Sequence, residues 1–220
     1  MPVKRLDEIL GLKEKDVYQE IFENFIRELD LVEFEKVKGS QLSEEEVYPV
    51  HRLAYNLAFP LSKPLPPSIL KYKLKRHELI RKRLGFYPGR TVNFWIYMDE
   101  RPVRIVGRLD AETYIKNQNK TKVYGVEIKT FGSPSSLKKQ LKIAYLQSHI
   151  YAYGSRIFDW ILYLVKDVPS LEKVKNLEEL KEKNYVFSVY LPIKEKNALN
   201  ILLTSIKVAR AIQKYQTSLL

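Results

Sequence analysis

The chain of 220 residues is long enough to bury a full hydrophobic core, in one domain or in one domain with a helical lobe. It has no cysteine, which excludes disulfides, thiolate zinc sites and iron–sulfur clusters, and no stretch approaches the roughly 20 apolar residues of a membrane span, so we expect a cytoplasmic protein that contacts no membrane. The net charge of +12 instead favours a polyanionic partner, with a basic surface that serves only solubility as the alternative.

The N-terminal part of the chain predicts helices. Residues 16–29 carry apolar residues at four-residue steps, which indicates a helix with one buried face. Ser43, followed by three glutamates, predicts the start of a second helix that ends near Leu57, and the prolines after it predict an extended connector. We therefore divide the chain into an acidic helical lobe with its connector, residues 1–67, and a core of residues 68–220, which together form one compact unit.

The core predicts alternating strands and helices. A helix from Ser68 to Leu84 precedes a β-hairpin, and a third strand follows a polar segment. The predicted strands are 91–98, 103–110, 122–129, 159–166 and 185–191, and the later helices are 137–153, 177–183 and 194–215. This order predicts an α/β fold, a mixed central β-sheet of about five strands flanked by helices, with the helical lobe at the N-terminus.

Asp110, Glu127 and Lys129 are the candidates for chemistry. Glu127 and Lys129 stand two apart in a predicted strand, so they share one face, while Ile128 points into the opposite layer and leaves its backbone carbonyl free. Asp110 and Glu127 offer the hard oxygen ligands that Mg²⁺ or Mn²⁺ prefers, and Lys129 could hold or deprotonate an attacking water and stabilise negative charge. Taken alone, a Glu-x-Lys triplet is more often a solvated ion pair on an edge strand.

The order of the motifs adds specificity. Gly-x-x-Asp ends at Asp110, Glu-x-Lys begins at Glu127 after sixteen intervening residues, and Gln-x-x-x-Tyr runs from Gln147 to Tyr151. This order, over about residues 70–155, resembles the RecB-type branch of the PD-(D/E)XK nucleases, in particular the CRISPR-associated RecB-like exonucleases and their viral relatives. The resemblance implies a restriction-endonuclease-like core, a divalent metal on the Asp and Glu, a Lys that positions the nucleophile, and a Gln and Tyr that line the site.

The resemblance also implies a histidine ligand on an upstream helix. His77, 33 residues before Asp110, fits that place, and His51 competes with it. His149 lies inside the Gln-x-x-x-Tyr motif but on another helix face, so we expect it to be exposed. Tyr151 could alternatively be a core residue, since aromatic residues at helical spacing usually are. The exonuclease relatives hold an iron–sulfur cluster on four cysteines that this chain lacks, so the resemblance supports a core without the cluster.

The basic charge is concentrated after residue 50. Residues 1–50 contain thirteen acidic and seven basic side chains, a net charge of −6, so the remainder carries +18. Lysine, arginine and aromatic residues interleave after the connector, a mixture that can follow a phosphate backbone and stack on unpaired bases. The predicted DNA contacts are Lys73, Lys75, Arg76, Arg81, Arg83, Arg108, Lys138, Lys139 and Lys142.

The sequence thus predicts an Mg²⁺- or Mn²⁺-dependent nuclease that hydrolyses DNA phosphodiester bonds. Nothing in the pattern reads a base sequence, so we expect single strands, ends or branched DNA to be recognised. One alternative is a Holliday-junction resolvase, which would act as a symmetric homodimer, and a larger homo-oligomer is also open. The other is a non-catalytic nucleic-acid-binding module.

Overall fold

The structure, a computed structural model, describes residues 46–60, 67–117 and 120–217. The predicted helix over residues 16–29 and the predicted helix start at Ser43 lie outside the described residues. The elements are β1 Glu46–Pro49, α1 Val50–Ala58, α2 Pro67–Arg83, β2 Thr91–Met98, β3 Arg101–Arg108, β4 Ala111–Asn117, β5 Lys120–Phe131, α3 Pro134–Ser155, β6 Asp159–Lys166, a 3₁₀ helix Pro169–Lys173, α4 Leu177–Glu182, β7 Val186–Pro192 and α5 Glu195–Thr217.

The described strands form two mixed sheets. The first has the order β1-β3-β2, in which β2 and β3 form the predicted antiparallel hairpin and β1 runs parallel to β3. The second has the order β4-β5-β6-β7, with a parallel pair β5–β6 between two antiparallel pairs. The α/β class and the mixed strand directions are confirmed, but the strands lie in sheets of three and four rather than in one sheet of about five.

Two strands were not predicted. β1 replaces the first part of the predicted second helix, because Val47 and Tyr48 favour extended backbone and Pro49 stands at the N-cap of α1, where it does not interrupt the helix. β4 fills the interval between the Gly-x-x-Asp and Glu-x-Lys motifs. The β-prone run Thr113-Tyr-Ile within it was the signal that could have indicated this strand.

Helix α3 carries the third motif, and its ends are fixed by local interactions. The Ser133 side chain accepts a hydrogen bond from the Ser136 backbone N–H, and the Ser136 side chain accepts one from the Ser133 N–H, which makes a capping box with Pro134 in the first turn. These contacts start the helix three residues before the predicted Leu137. Arg156 ends it in the left-handed conformation, with φ 60°.

Hydrophobic clusters cover both faces of the β5–β6 pair. On one face, α1, α3 and α5 pack over residues that include Trp160 and Leu162, and on the other α2, the 3₁₀ helix and α4 cover Val126 and Ile128. Buried residues of α1 therefore share a core with the later elements, whereas the predicted division of the chain at residue 67 stays a prediction. None of the helices in the described part of the chain is long and apolar enough to span a bilayer.

Gly125→Ala is expected to destabilise the fold. A Cβ atom at Gly125 would lie 2.5 Å from Cε2 of Trp160, whose fully buried indole donates a hydrogen bond of 2.7 Å to the Ile157 carbonyl. Because the ring has no free space to move into, we expect a loss of about 1–3 kcal/mol in the free energy of unfolding. Thermal unfolding followed by circular dichroism measures it. Gly132→Ala is the control, since a Cβ there meets nothing within 4 Å, and equal stability of the two variants would contradict the prediction.

Candidate active site

The end of β5 offers a free backbone edge beside Asp110. The ladder between β4 and β5 stops at the pair Ala111–Val126, whereas the ladder between β5 and β6 continues to Phe131. Asp110, directly before β4, lies along the freed edge, and its Oδ2 accepts a hydrogen bond of 2.7 Å from the Ile128 N–H. Since the N–H and C=O of one strand residue point to the same side, the Ile128 carbonyl faces this edge too.

Helix α2 brings His77 to the same carboxylate. His77 Nε2 lies 3.1 Å from Asp110 Oδ2. Burial raises the pKa of Asp110, but the hydrogen bond and charge of His77, the charge of Lys129 and the Ile128 N–H together hold it below its ordinary value. Burial lowers the pKa of His77, yet the hydrogen bond and charge of Asp110 outweigh it and raise the pKa. Each side chain therefore favours the charged form of the other.

Glu127 and Lys129 form a second, deeper pair. The Glu127 side chain is only 1% exposed, and its Oε1 accepts a hydrogen bond from Lys129 Nζ. Its other oxygen, Oε2, is buried and finds no hydrogen-bond partner among the described residues. Burial first, and then the negative charge of Asp110, raise the pKa of Glu127 to about 7 against the opposing effect of Lys129. Among the described residues, this oxygen is therefore available to bind a cation.

Lys129 is held in its charged form. Burial lowers its pKa, but the charges of Glu127 and Asp110 and the hydrogen bond to Glu127 outweigh this and raise it. A protonated amine cannot accept a proton from water. Of the two roles predicted for Lys129, its electrostatics favour stabilisation of negative charge over deprotonation of a nucleophile.

The donors around this edge suit a hard divalent cation in type. Two carboxylates and a backbone carbonyl, from Asp110, Glu127 and Ile128, are the ligands that Mg²⁺ and Mn²⁺ take together with water. The unpaired Oε2 of Glu127 supports the fit. No group of three or more His, Asp or Glu side chains in the described ranges is arranged to hold a metal ion as it stands. His77 Nε2 lies against Asp110 instead.

The third motif supports the backbone next to Asp110. Gln147 and Tyr151, both buried, lie on one face of α3, and the Tyr151 hydroxyl donates a hydrogen bond of 2.9 Å to the Arg108 carbonyl while the Gln147 side chain bonds the same hydroxyl. A Cβ at Gly107 would lie 2.8 Å from Tyr151 Cε1, so only glycine lets the ring approach β3. The Gly-x-x-Asp and Gln-x-x-x-Tyr motifs therefore contact each other at Gly107 and Tyr151. This need for glycine at position 107 could not be inferred from the sequence alone.

Tyr151 keeps its proton. Burial, with the charges of Glu127 and Asp110, raises the pKa of Tyr151 above its ordinary value. The residue is buried, as the core interpretation expected, but it also fixes the carbonyl two residues before Asp110. Its side chain therefore positions Asp110 through the backbone.

If the chain cleaves DNA, as the sequence predicts, Tyr151→Phe is expected to lower the cleavage rate by about 10-fold to 100-fold, the usual cost of losing a group that orients a ligand. The loss should appear in kcat with an unchanged pH profile, because the hydroxyl does not titrate in the working range. Single-turnover cleavage of an oligonucleotide across a pH series measures both. Tyr163→Phe, a buried tyrosine on the opposite face of the sheet, should leave kcat unchanged. A changed pH profile would contradict the positioning role.

The other two histidines differ in placement. His149 was expected to be exposed, and this is wrong: it is 2% exposed, its Nδ1 lies 2.8 Å from the Tyr145 carbonyl, and burial lowers its pKa to about 4. The reason is that α3 is packed against both sheets, α1 and α5, so this helix face is covered as well. His51 keeps an exposed surface on α1, although neighbouring protein atoms still desolvate its ring in part. This desolvation and the positive charges of Lys129 and Arg52 lower its pKa, and the effect of Lys129 places His51 near the site.

Arg76 is buried and engaged within the protein. Its side chain is 6% exposed, with Nε 2.9 Å from Asp167, Nη1 3.0 Å from Glu172 and Nη2 bonded to the Val168 carbonyl. It ties α2 to the segment that follows β6. The sequence could not show these ion pairs, because both acidic partners lie far away in sequence, at separations of 91 and 96; DNA binding by Arg76 stays a prediction.

The remaining predicted DNA contacts fall into two groups. Exposed ones are free to meet a polyanion: Lys73, Lys75, Arg108, Lys138 and Lys139. Half-buried ones are engaged with the protein: Arg81 lies 3.6 Å from Glu78, Arg83 bonds the Lys175 carbonyl, and Lys142 lies over the Phe59 ring. DNA binding by the first group stays a prediction.

Comparison with known proteins gives structural similarities only. No protein-family profile matches the chain, and no curated protein matches it. Among solved structures it is similar to SSO0001, at 18% identity and a TM-score of 0.45 over 86% of this chain and 85% of that one. It is also similar to a phage-related exonuclease from Haemophilus somnus 129PT, at 15% identity and a TM-score of 0.39 over 77% of this chain and 80% of that one. A third similar structure is the alkaline exonuclease LHK-Exo from Laribacter hongkongensis, at 8% identity and a TM-score of 0.40 over 78% of this chain and 90% of that one. At these TM-scores the chemistry of the chain has to be inferred from its own residues.

Proposed function

We propose that the chain is a divalent-metal-dependent nuclease of the RecB-like branch of the PD-(D/E)XK superfamily, which hydrolyses DNA and is directed by ends or strand structure rather than by sequence. The observation that carries the proposal is Glu127, a buried carboxylate between Asp110 and Lys129 with one oxygen unpaired. Without a ligand, such a group is costly to the fold. Perturbed carboxylates of this kind are characteristic of sites built for function.

Each residue of the site has a separate task. Asp110, Glu127 and the Ile128 carbonyl would hold Mg²⁺ or Mn²⁺, which supplies charge neutralisation at the phosphate and activation of water. His77 orients Asp110 through their hydrogen bond, and it would join as a ligand only after that bond is broken. Lys129 stabilises the negative charge that develops on the phosphate during attack by water.

The exposed cations lie on elements next to the site. Arg108 ends β3 two residues before Asp110, and Lys138 and Lys139 lie in the first turns of α3, which follows β5. Contacts from such residues to phosphates fix the position of a strand without reading its bases. An intracellular location would bring the protein to this substrate.

Cleavage of a panel of DNA forms tests the proposal. Linear single-stranded, linear duplex, circular single-stranded and four-way-junction DNA are incubated with Mg²⁺, with Mn²⁺ and with EDTA. We expect cleavage of at least one form with metal and none in EDTA. Cutting of circles would exclude a strictly end-dependent exonuclease. Symmetric cuts confined to the junction, by a protein with the mass of a dimer, would favour the resolvase. Binding without cleavage under every metal condition would overturn the proposal in favour of a binding module.

A further inference from the structure

Within the part of the chain that the structure describes, the three-stranded sheet has one covered face and one open face. Along β2 the two alternate: Val92, Phe94, Ile96 and Met98 face the core, while the residues that alternate with them point outward. Two of the outward residues are large and aromatic, Trp95 at 49% exposed and Tyr97 at 79%. We call this surface, made by the outward residues of β2 and β3, the open face. Its members are Thr91, Asn93, Trp95, Tyr97, Pro102, Arg104, Val106 and Arg108.

Arg104 is held against the exposed tryptophan. It pairs with Trp95 across the β2–β3 ladder, and its guanidinium lies 5.7 Å from the centre of the indole ring. Its Nε donates a hydrogen bond of 2.9 Å to the Asn93 side chain. The cation and the ring are therefore ordered on the surface, which reduces the entropy lost when a ligand binds.

The charge of the open face has one sign. Every outward residue of β2 and β3 is either uncharged or an arginine. At the end nearest the site, Arg108 is exposed, and its Nε is fixed by a hydrogen bond of 3.1 Å to the Gly89 carbonyl. Arg108 precedes Asp110 by two residues, so this end of the open face lies close in sequence to the candidate active site.

We propose that the open face binds single-stranded nucleic acid and guides it to Asp110. Trp95 and Tyr97 stack on unpaired bases, Arg104 contacts a phosphate beside Trp95, and Arg108 contacts a phosphate nearer to Asp110. A surface that combines aromatic rings with cations can bind a single strand without recognising its base sequence. This inference rests on the proposed function in that the bound strand is the substrate of the same site. A second copy of the chain is the competing occupant, but two arginines facing their own symmetry mates would repel each other.

Intrinsic fluorescence offers a direct test, because the chain has two tryptophans and Trp160 is fully buried. Oligo(dT) is titrated into the full chain in EDTA, where no cleavage occurs. We expect wild-type fluorescence to be quenched and Trp95→Leu, which keeps only Trp160, to show no change. Affinity measured by anisotropy should fall about tenfold in Trp95→Leu, since stacking on one ring contributes a factor of that order or more. Arg104→Gln should reduce the slope of log affinity against log salt by about 0.7.

A matched control separates stacking from general loss of an exposed ring. Tyr114 is 63% exposed on β4, in the other sheet, so Tyr114→Leu should bind oligo(dT) as the wild type does. If bound DNA did not quench the wild-type fluorescence, or if Trp95→Leu bound DNA with unchanged affinity, the inference would be overturned. A change of sedimentation in Trp95→Leu with unchanged DNA affinity would also overturn it and assign the face to self-association. Quenching without cleavage when metal is added would contradict the nuclease proposal alone. Cleavage without quenching would contradict this inference alone.

Discussion

Lys129→Met is expected to lower the rate of DNA cleavage by about 10³-fold or more, while DNA affinity in EDTA stays close to that of the wild type. Methionine keeps the length of the side chain and removes the cation that lies against Glu127. Asp110→Asn should cause a loss of similar size, because the amide offers a weak metal ligand and releases His77 from its ion pair. Single-turnover cleavage with saturating enzyme measures the chemical step in each variant.

Helix α4 supplies the matched control for these variants. Glu179 and Lys183 form another Glu–Lys pair, 2.6 Å apart, on a helix outside the site. Lys183→Met removes the same charge by the same substitution and should cleave at the wild-type rate. If Lys129→Met and Lys183→Met were equally active, the site would not lie at the end of β5.

Glu127→Gln is expected to abolish cleavage and to stabilise the metal-free protein at the same time. The pKa of Glu127 rises from 4.5 to about 7 in the fold, so the folded state binds a proton there more tightly than the unfolded state does. The free energy of unfolding therefore falls as the pH rises from 4.5 to about 7, and above pH 7 the ionised carboxylate still lowers it. Each pKa unit corresponds to about 1.4 kcal/mol, so a rise from 4.5 to about 7 sets an upper limit of about 3.5 kcal/mol on the gain from glutamine at pH 8.

Thermal unfolding in EDTA measures this gain, as a Tm higher by up to about 10 °C at pH 8. The difference should shrink towards pH 5, where the wild-type carboxyl is protonated. Added Mg²⁺ or Mn²⁺ should raise the Tm of the wild type and leave that of Glu127→Gln unchanged. Glu179→Gln, on the exposed pair, should not raise the Tm. A Glu127→Gln protein less stable than the wild type at pH 8 would contradict the account of the buried charge.

The elements that the sequence predicted well are those with strong local patterns. The hairpin β2–β3, strand β6 and helix α3 have alternating, continuously apolar or well-capped sequences, and their positions match within a few residues. β1 and β4 are shorter or lie at a sheet edge, and each depends on a partner strand for its stability. The separation into two sheets depends on pairings such as β1 with β3, across more than 50 residues, which no local pattern encodes.

The residues of the candidate site were easier to predict from the sequence than their ion pairs and pKa shifts. Same-face placement of Glu127 and Lys129 follows from their spacing alone. The order of the motifs indicated that Asp110 belongs beside them, and in the structure its carboxylate contacts the β5 backbone. The burial of Glu127, the engagement of His77 by Asp110 and the structural role of Arg76 all depend on tertiary neighbours, so the sequence could not provide them.

The alternation along β5 also bears on how the strand finds its partners during folding. Val126 and Ile128 enter one apolar cluster, while Gly125 and Glu127 face the other side, towards Trp160 and the site. A slip of one residue in β5 would turn Glu127 and Lys129 into the cluster that Val126 and Ile128 now fill, and it would leave two charges in an apolar layer. The same charges that we assign to chemistry therefore discriminate against misregistered pairing of the central strand.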